Sequence, residues 1–388
     1  MAEKSLEAHF IKCLKEGNTK KALYIIELLG DKVNNLYRGK SLLSWAKEFE
    51  NKEVARVLEE KDAKEEVISE EEARRLGLEL IEKAAVGDWE AVIELVGKGA
   101  NVDEKDNDGD TALMWASANG YVEVVKTLIE NGAKVDEKNN YDITALMLVS
   151  ANGHVEVVKT LIENGTKVDE KDNGGETALI YASRNGYVEV VKTLIENGAN
   201  VNHQDRYGLT ALMRASEFGD LEVVEALLDA EAEVNEKNKW NNTALIKASE
   251  NGHVEVVKAL LSRGAIKTIN GKDEWGNTAL MIASKNGHVE VVKTLIENGA
   301  KVDEKNNNGD TPLMWASIWG HVEFVKTLIE NGAKVNIKNN DGDTAMSLAK
   351  DEETRRAILE AVKKRNEKAK ENEPSFMEKM KGLFGKGE

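Results

Sequence analysis

Cysteine occurs once in the 388 residues, at Cys13, and proline twice, at Pro312 and Pro374. A lone cysteine excludes an intrachain disulfide framework and any metal knuckle built on cysteines, and a reducing compartment is the simplest fit. So few prolines favour many helices over many proline-marked loops. Aromatic residues make up only 5% of the chain, and no stretch approaches the roughly 18 uncharged apolar residues of a membrane span. The N-terminus, Met-Ala-Glu-Lys-Ser-Leu-Glu, lacks the apolar centre of a cleaved secretion signal. A cytoplasmic protein is expected, with export by a route that reads no cleaved signal left open. Basic residues are in deficit, 53 against 70 acidic ones, for a net charge of −17. That field repels phosphate backbones and anionic membrane surfaces, so nucleic acid is not an expected partner.

What the sequence has in abundance is itself. Thr-Ala-Leu recurs with its threonine at Thr111, Thr144, Thr177, Thr210, Thr243 and Thr278, and Thr311-Pro312-Leu313 and Thr344-Ala345-Met346 continue the series. The step is 33 residues except from Thr243 to Thr278, where 35 residues reveal a two-residue insertion near Ile266–Gly271. A fixed period of this length means a solenoid, not the two or three domains that length alone suggests. In the copy from Asp106, Thr111 is a helix N-cap, Leu113 and Ala116 follow at helical spacing, and Gly120 supplies a left-handed stop. A second helix buries Val124, Val125, Leu128 and Ile129 and turns Glu123, Lys126 and Glu130 to water, until Gly132 ends it. Neither short helix is stable alone, so each must pack on the units before and after. Glu231 stands where other copies end this helix with glycine, marking a weak joint.

The pattern Asp-x-x-Gly-x-Thr-Ala-Leu-x-x-Ala-x-x-x-Gly-x-x-Glu-Val-Val-Lys-x-Leu-Ile-x-x-Gly-Ala resembles the ankyrin repeat. The histidine of that family's Thr-Pro-Leu-His is replaced by Met114, Met147, Ile180, Met213, Ile246, Met281, Met314 and Ser347, so apolar packing is expected in place of its hydrogen bonds. The implied fold is an all-α dominated repeat solenoid of helix-turn-helix units with extended β-turn arms. Residues 1–61 read as degenerate helix pairs, 62–68 as an acidic seam, and 69–103 as the first pair of the main stack. Eight repeats including a polar C-terminal cap span 104–362, followed by a charged linker at 363–374 and a short amphipathic tail at 375–388.

No catalytic constellation emerges. His154, His253, His288 and His321 sit just after the inter-helix glycine and read as helix-start residues, while His203 and His9 stand apart. The turn from Glu104 to Gly109 imitates the opening of a calcium loop, but position twelve is Trp115 instead of glutamate. No phosphate-cradling loop or nucleophile elbow is present. A non-enzyme without metal or cofactor is expected.

Copies of the second helix are nearly verbatim, with Val-Glu-Val-Val-Lys-Thr-Leu-Ile-Glu-Asn-Gly starting at Val122, Val155, Val188 and Val289. Variation concentrates on turn tips and the outward positions of first helices, and there the aromatics gather. Tips carry Tyr141, Tyr207, Trp240 and Trp275; first helices carry Trp115, Tyr181 and Trp315, with Phe218 and Trp319 beside the stop glycine. Arg206, Arg214 and Lys247, with Arg184 and Lys239, accompany them. Tryptophan, tyrosine and arginine dominate interface hot spots, and the resemblance implies that the same concave surface grips protein partners. A monomer that binds a protein or peptide segment with acidic and apolar side chains is the leading expectation, against the alternative that Trp115, Tyr181 and Trp315 merely pack on neighbouring helices. In the tail, Phe376, Met377, Met380, Leu383 and Phe384 form one helical stripe. It suits a membrane surface, a partner's groove or this chain's own groove, or a frayed end. Membrane contact is expected only through this tail, which leaves open a membrane-tethered adaptor, a secreted host-directed effector, or a regulatory subunit that occludes an enzyme.

Overall fold

In the computed structural model, which describes residues 10–29, 36, 37, 40–61 and 68–371, six repeats start as their threonine requires, while the Thr177 hydroxyl is buried without a hydrogen-bond partner. Thr111, Thr144, Thr210, Thr243, Thr278 and Thr311 are extended, and each hydroxyl accepts the backbone N–H three residues on. That bond satisfies one of the donors a helix start leaves over, worth about 1 kcal/mol each. The first helices run Ala112–Ala118, Ala145–Asn152, Ala178–Arg184, Ala211–Phe218, Ala244–Asn251, Ala279–Asn286 and Pro312–Trp319. Their partners run Val122–Glu130, Val155–Glu163, Val188–Glu196, Leu221–Asp229, Val254–Ser262, Val289–Glu297 and Val322–Glu330. Glu70–Ala85 pairs with Trp89–Gly97 ahead of them. The tail stripe Phe376, Met377, Met380, Leu383 and Phe384, the seam residues 62–67 and His9 lie outside the described residues.

The chain divides into two compact units, residues 1–182 with 189–200, and residues 183–188 with 201–388. Within the first, Phe10, Ile26, Leu42, Leu43, Val54 and Leu58 belong to a core of their own, built by residues 10–15, Thr19–Leu29, Leu42–Glu48 and Lys52–Glu60. Within the second, the helices Ala211–Phe218, Ala244–Asn251, Ala279–Asn286 and Pro312–Trp319 pack each on the next. Their alanines Ala215, Ala248, Ala283 and Ala316 are fully buried, which lets the backbones approach closely. The two-residue insertion is taken up by a single 3-10 turn, Ala265–Thr268, with Ala265 and Ile269 buried and Ile266 in solvent.

Three details depart from expectation. The methionine in the family's histidine position is not purely apolar packing, because at Met314 the Sδ accepts the Thr311 N–H at 3.4 Å. The last copy has turns at 345–348 in place of a first helix. There the Ser347 hydroxyl bonds Asp343 and the Thr344 carbonyl, competing with helix formation. The repeat ends directly in the long cap helix Glu352–Glu371. Finally, His253, His288 and His321 stand at helix starts but cap nothing. Their Nε2 atoms instead hydrogen-bond backwards to the carbonyls of Glu217, Glu250 and Lys285, at 3.1, 2.9 and 3.0 Å, in the preceding first helix.

These rings explain the stop glycines better than backbone angle alone. Gly219 and Gly252 are left-handed, and a Cβ on them would stand 2.4 and 2.5 Å from Nδ1 of His253 and His288. Gly165, which ends a second helix, is equally left-handed but has open space where a Cβ would be. Gly219→Ala should therefore cost clearly more than Gly165→Ala, whose loss is the conformational one of about 1–2 kcal/mol; urea denaturation of both variants measures the difference.

Glu231 adopts φ 61°, in the left-handed region, as its glycine slot demands. The same repeat holds a second flaw. Asn139 and Asn339 each give their Nδ2 to an aspartate of the turn before, Asp110 and Asp310, at 2.8 and 2.9 Å. Leu209 occupies that place ahead of Asn238, whose Nδ2 is buried with no partner. Replacing Glu231 by glycine should stabilise the second unit by about 1 kcal/mol, the strain relieved exceeding the entropy glycine adds to the unfolded chain. A denaturation midpoint that falls would contradict this.

Candidate recognition surface

Each turn opens with an Asp or Asn whose Oδ1 accepts two backbone N–H groups, two and four residues on. Asp205 holds Tyr207 and Leu209, Asn238 holds Trp240 and Asn242, and Asp273 holds Trp275 and Asn277, all at 2.7–3.0 Å. The carboxylate that resembled a calcium ligand, Asp106, is spent in the same way on Asp108 and Asp110. Successive tips are laced together, because Lys239 N–H donates to the Tyr207 carbonyl at 2.9 Å, Glu274 to Trp240 at 3.0 Å, and Asn307 to Trp275 at 3.0 Å. The aromatic tips of the second unit are thus consecutive rungs of one ladder. Tyr207 and Trp240 stack with centroids 5.8 Å apart and planes 19° from parallel, and the Arg206 guanidinium lies 4.8 Å over Tyr207. Trp275 is 58% exposed and Phe218 and Trp319 about half. In the first unit Tyr141 is a tip of the same kind, also 58% exposed.

The outward position of the first helix, nine residues after the turn's Asp or Asn, is in several repeats paired with that residue, which the sequence did not reveal. In three of the four repeats whose turn residue is aspartate, a donor stands opposite its Oδ2. Trp115 Nε1 donates to Asp106 at 3.0 Å and Tyr181 Oη to Asp172 at 2.8 Å, while the Arg214 guanidinium lies 3.7 Å from Asp205. Trp115 and Tyr181 are therefore anchored to their own turns, in a way neither the binding nor the neighbour-packing expectation included. Asp273, opposite Ile282, takes Asn277 Nδ2 instead, at 3.1 Å. Trp315 has no such carboxylate. Its turn residue is Asn306, whose Oδ1 serves Asn308 and Asp310 and whose Nδ2 donates to Asn277. No second oxygen is left, and the Trp315 Nε1 is buried without a partner.

The basic residues divide into two sets. Arg214 and Lys247, both largely buried, share Glu217 at 3.3 and 2.9 Å, and Lys247 also reaches Glu250 at 3.6 Å. Their charge is balanced where they stand, a pairing invisible in a sequence that names types but not neighbours. Arg206, Lys239 and Lys285 have no carboxylate within ion-pair distance among the described residues. Sequence reasoning passed over Lys285, which sits in a last turn where a lysine suits the helix dipole. Its Nζ lies 5.3 Å over the Trp315 ring. Beside it opens a cleft of about 120 Å³ lined by Glu250, Asp273, Trp275, Asn277, Met281, Ile282, Lys285, Asn286 and Trp315.

The extended arms that lead into the turns are charged and repetitive. Lys105, Lys138 and Lys272 each reach forward to the lysine carbonyl and the glutamate of the next arm, and hydrogen bonds from them hold Glu137, Glu170 and Glu304 below the usual carboxylate range. Among the described residues no three His, Cys, Asp or Glu side chains gather as metal ligands would, and no helix is long and apolar enough to cross a membrane.

Comparison with known proteins agrees with this architecture. The family model described as ankyrin repeats in three copies matches residues 69–139, 135–205, 212–306, 265–339 and 299–369, and a second ankyrin model matches 185–228. Two ankyrin repeat proteins of Rickettsia felis are each 45% identical over 51 residues, which is 13% of this chain and 81% and 77% of theirs. Repeats of this kind are in general protein–protein interaction modules. With the threonine caps, the left-handed stops and the packed helix pairs in place, the chain belongs to the ankyrin repeat family.

Proposed function

We propose that the chain is a non-catalytic scaffold that captures a protein segment on the face formed by turn tips and first helices, with the second unit supplying the principal anchors. One observation carries the reading: the large rings Tyr207, Trp240, Trp275, Phe218 and Trp319 stand exposed on tips and first helices, while the second helices are nearly identical and charged outside. An aromatic set left in water costs solubility unless something covers it. Flat rings on a rigid backbone ladder lose little entropy when they are covered, which makes them efficient anchors. The expected ligand presents apolar side chains to the rings. Its acidic groups are for Arg206, Lys239 and Lys285, since Arg214 and Lys247 are already balanced by Asp205, Glu217 and Glu250.

Crosslinking mass spectrometry from cells identifies the partner, and the double variant Trp240→Ala/Trp275→Ala then tests the face. It should bind that partner at least 30-fold more weakly, the roughly 2 kcal/mol expected of hot-spot rings, while Tyr24→Ala, an exposed ring of the N-terminal helices, binds unchanged. Unaltered affinity in a double variant with wild-type circular dichroism contradicts the reading.

A further inference from the structure

The cleft beside Trp315 contains two groups that the fold leaves unserved, and both are donors. The Lys285 ammonium has no carboxylate partner among the described residues, and the Trp315 indole N–H is buried with no acceptor. The acidic groups in the same wall are engaged already. Asp273 accepts the N–H groups of Trp275 and Asn277 on one oxygen and the Asn277 amide on the other. Glu250 lies 3.6 Å from Lys247. With those pairs accounted for, the cleft offers a cation and a hydrogen-bond donor in a mixed wall that also holds Trp275, Met281 and Ile282. A buried donor without a partner costs about 1–3 kcal/mol, and in Trp115 the same position is satisfied by Asp106. The flaw at Trp315 is therefore local and coincides with the one cation on these first helices, among the described residues, that faces a cleft unpaired.

We propose that this cleft is a carboxylate subsite, which receives an aspartate or glutamate side chain of the bound segment. The carboxylate pairs with Lys285 and accepts the Trp315 indole N–H, and its methylene stem lies against Trp275, Met281 and Ile282. Because that N–H lies below the surface in the free protein, the Lys285 chain moves off the indole as the ligand enters. The cleft, of about 120 Å³, has room for one short acidic side chain. Lys285 thus acts as the selective residue of a surface whose other contacts are aromatic and tolerant. The assignment rests on the scaffold reading above and adds the chemistry of one contact to it.

The indole N–H resonances of the full chain test this, with Trp315 assigned by the loss of its signal in Trp315→Phe. The probe is the peptide acetyl-Ala-Leu-Glu-Leu-Ala-amide, compared with its Glu→Gln counterpart. The glutamate peptide should move the Trp315 signal downfield in a saturable way. Affinity should fall at least fivefold for the glutamine peptide, in Lys285→Gln, and on raising the salt. An equal response to both peptides, or an undiminished one in Lys285→Gln, overturns the subsite. If Trp240 or Trp275 signals move while Trp315 stays still, the subsite is wrong and the scaffold reading stands. If no tryptophan signal responds to either peptide, the subsite is overturned. The scaffold reading falls separately, by full partner affinity in Trp240→Ala/Trp275→Ala.

Discussion

A helix of two turns has no stability of its own in water, because nucleation fixes more dihedral angles than its few hydrogen bonds reward. Every helix from Ala112 to Glu330 is close to that length, and so each exists only while its apolar face is covered by the helices beside it. From that dependence the rest follows. The buried positions must be filled alike in every copy, which is why Val-Glu-Val-Val-Lys-Thr-Leu-Ile recurs and why Ala215, Ala248, Ala283 and Ala316 have no exposure at all. The positions that face neither neighbour are released from this demand and can diverge. A repeat stack thus separates its sequence into a part that holds and a part that recognises.

The same dependence makes the joints between repeats the sensitive places. The imidazoles of His253 and His288 lie against a glycine of the preceding repeat and tie to a carbonyl there. Turns are sewn to turns by backbone bonds, and arms to arms by lysines that reach the next carbonyl. Against this regularity the repeat containing Leu209, Glu231 and Asn238 stands out, with Glu231 and Asn241 both left-handed and one unsatisfied amide. It lies among the aromatic tips Tyr207 and Trp240, so the least comfortable joint of the second unit adjoins the surface proposed to bind.

Much of this was legible in the residues. The threonine caps, the glycine stops, the place of the two-residue insertion and the strain at Glu231 are local, and local chemistry is written in order along the chain. Pairings between residues nine or thirty apart were not legible, since they depend on which atoms a turn brings together. Arg214 and Lys247 read as recognition charges and are found balanced; Trp115 and Tyr181 read as free or merely packed and are found tethered to Asp106 and Asp172. Part of the signal was nonetheless present, because donors stand nine residues after Asp106, Asp172 and Asp205, though Ile282 follows Asp273 and Lys247 and Trp315 follow asparagines. Lys285 and Trp315 were separable only by what they lack, and that needs coordinates.

Hydrogen–deuterium exchange of the full chain, with and without the crosslinked partner, tests the central claim most directly. Slowed exchange should concentrate in the tips and first helices of the second unit, at residues 205–218, 238–251, 273–286 and 306–319, while the second helices Val254–Ser262 and Val289–Glu297 exchange as in the free protein. Protection centred on those second helices, with the tips unchanged, would contradict the account.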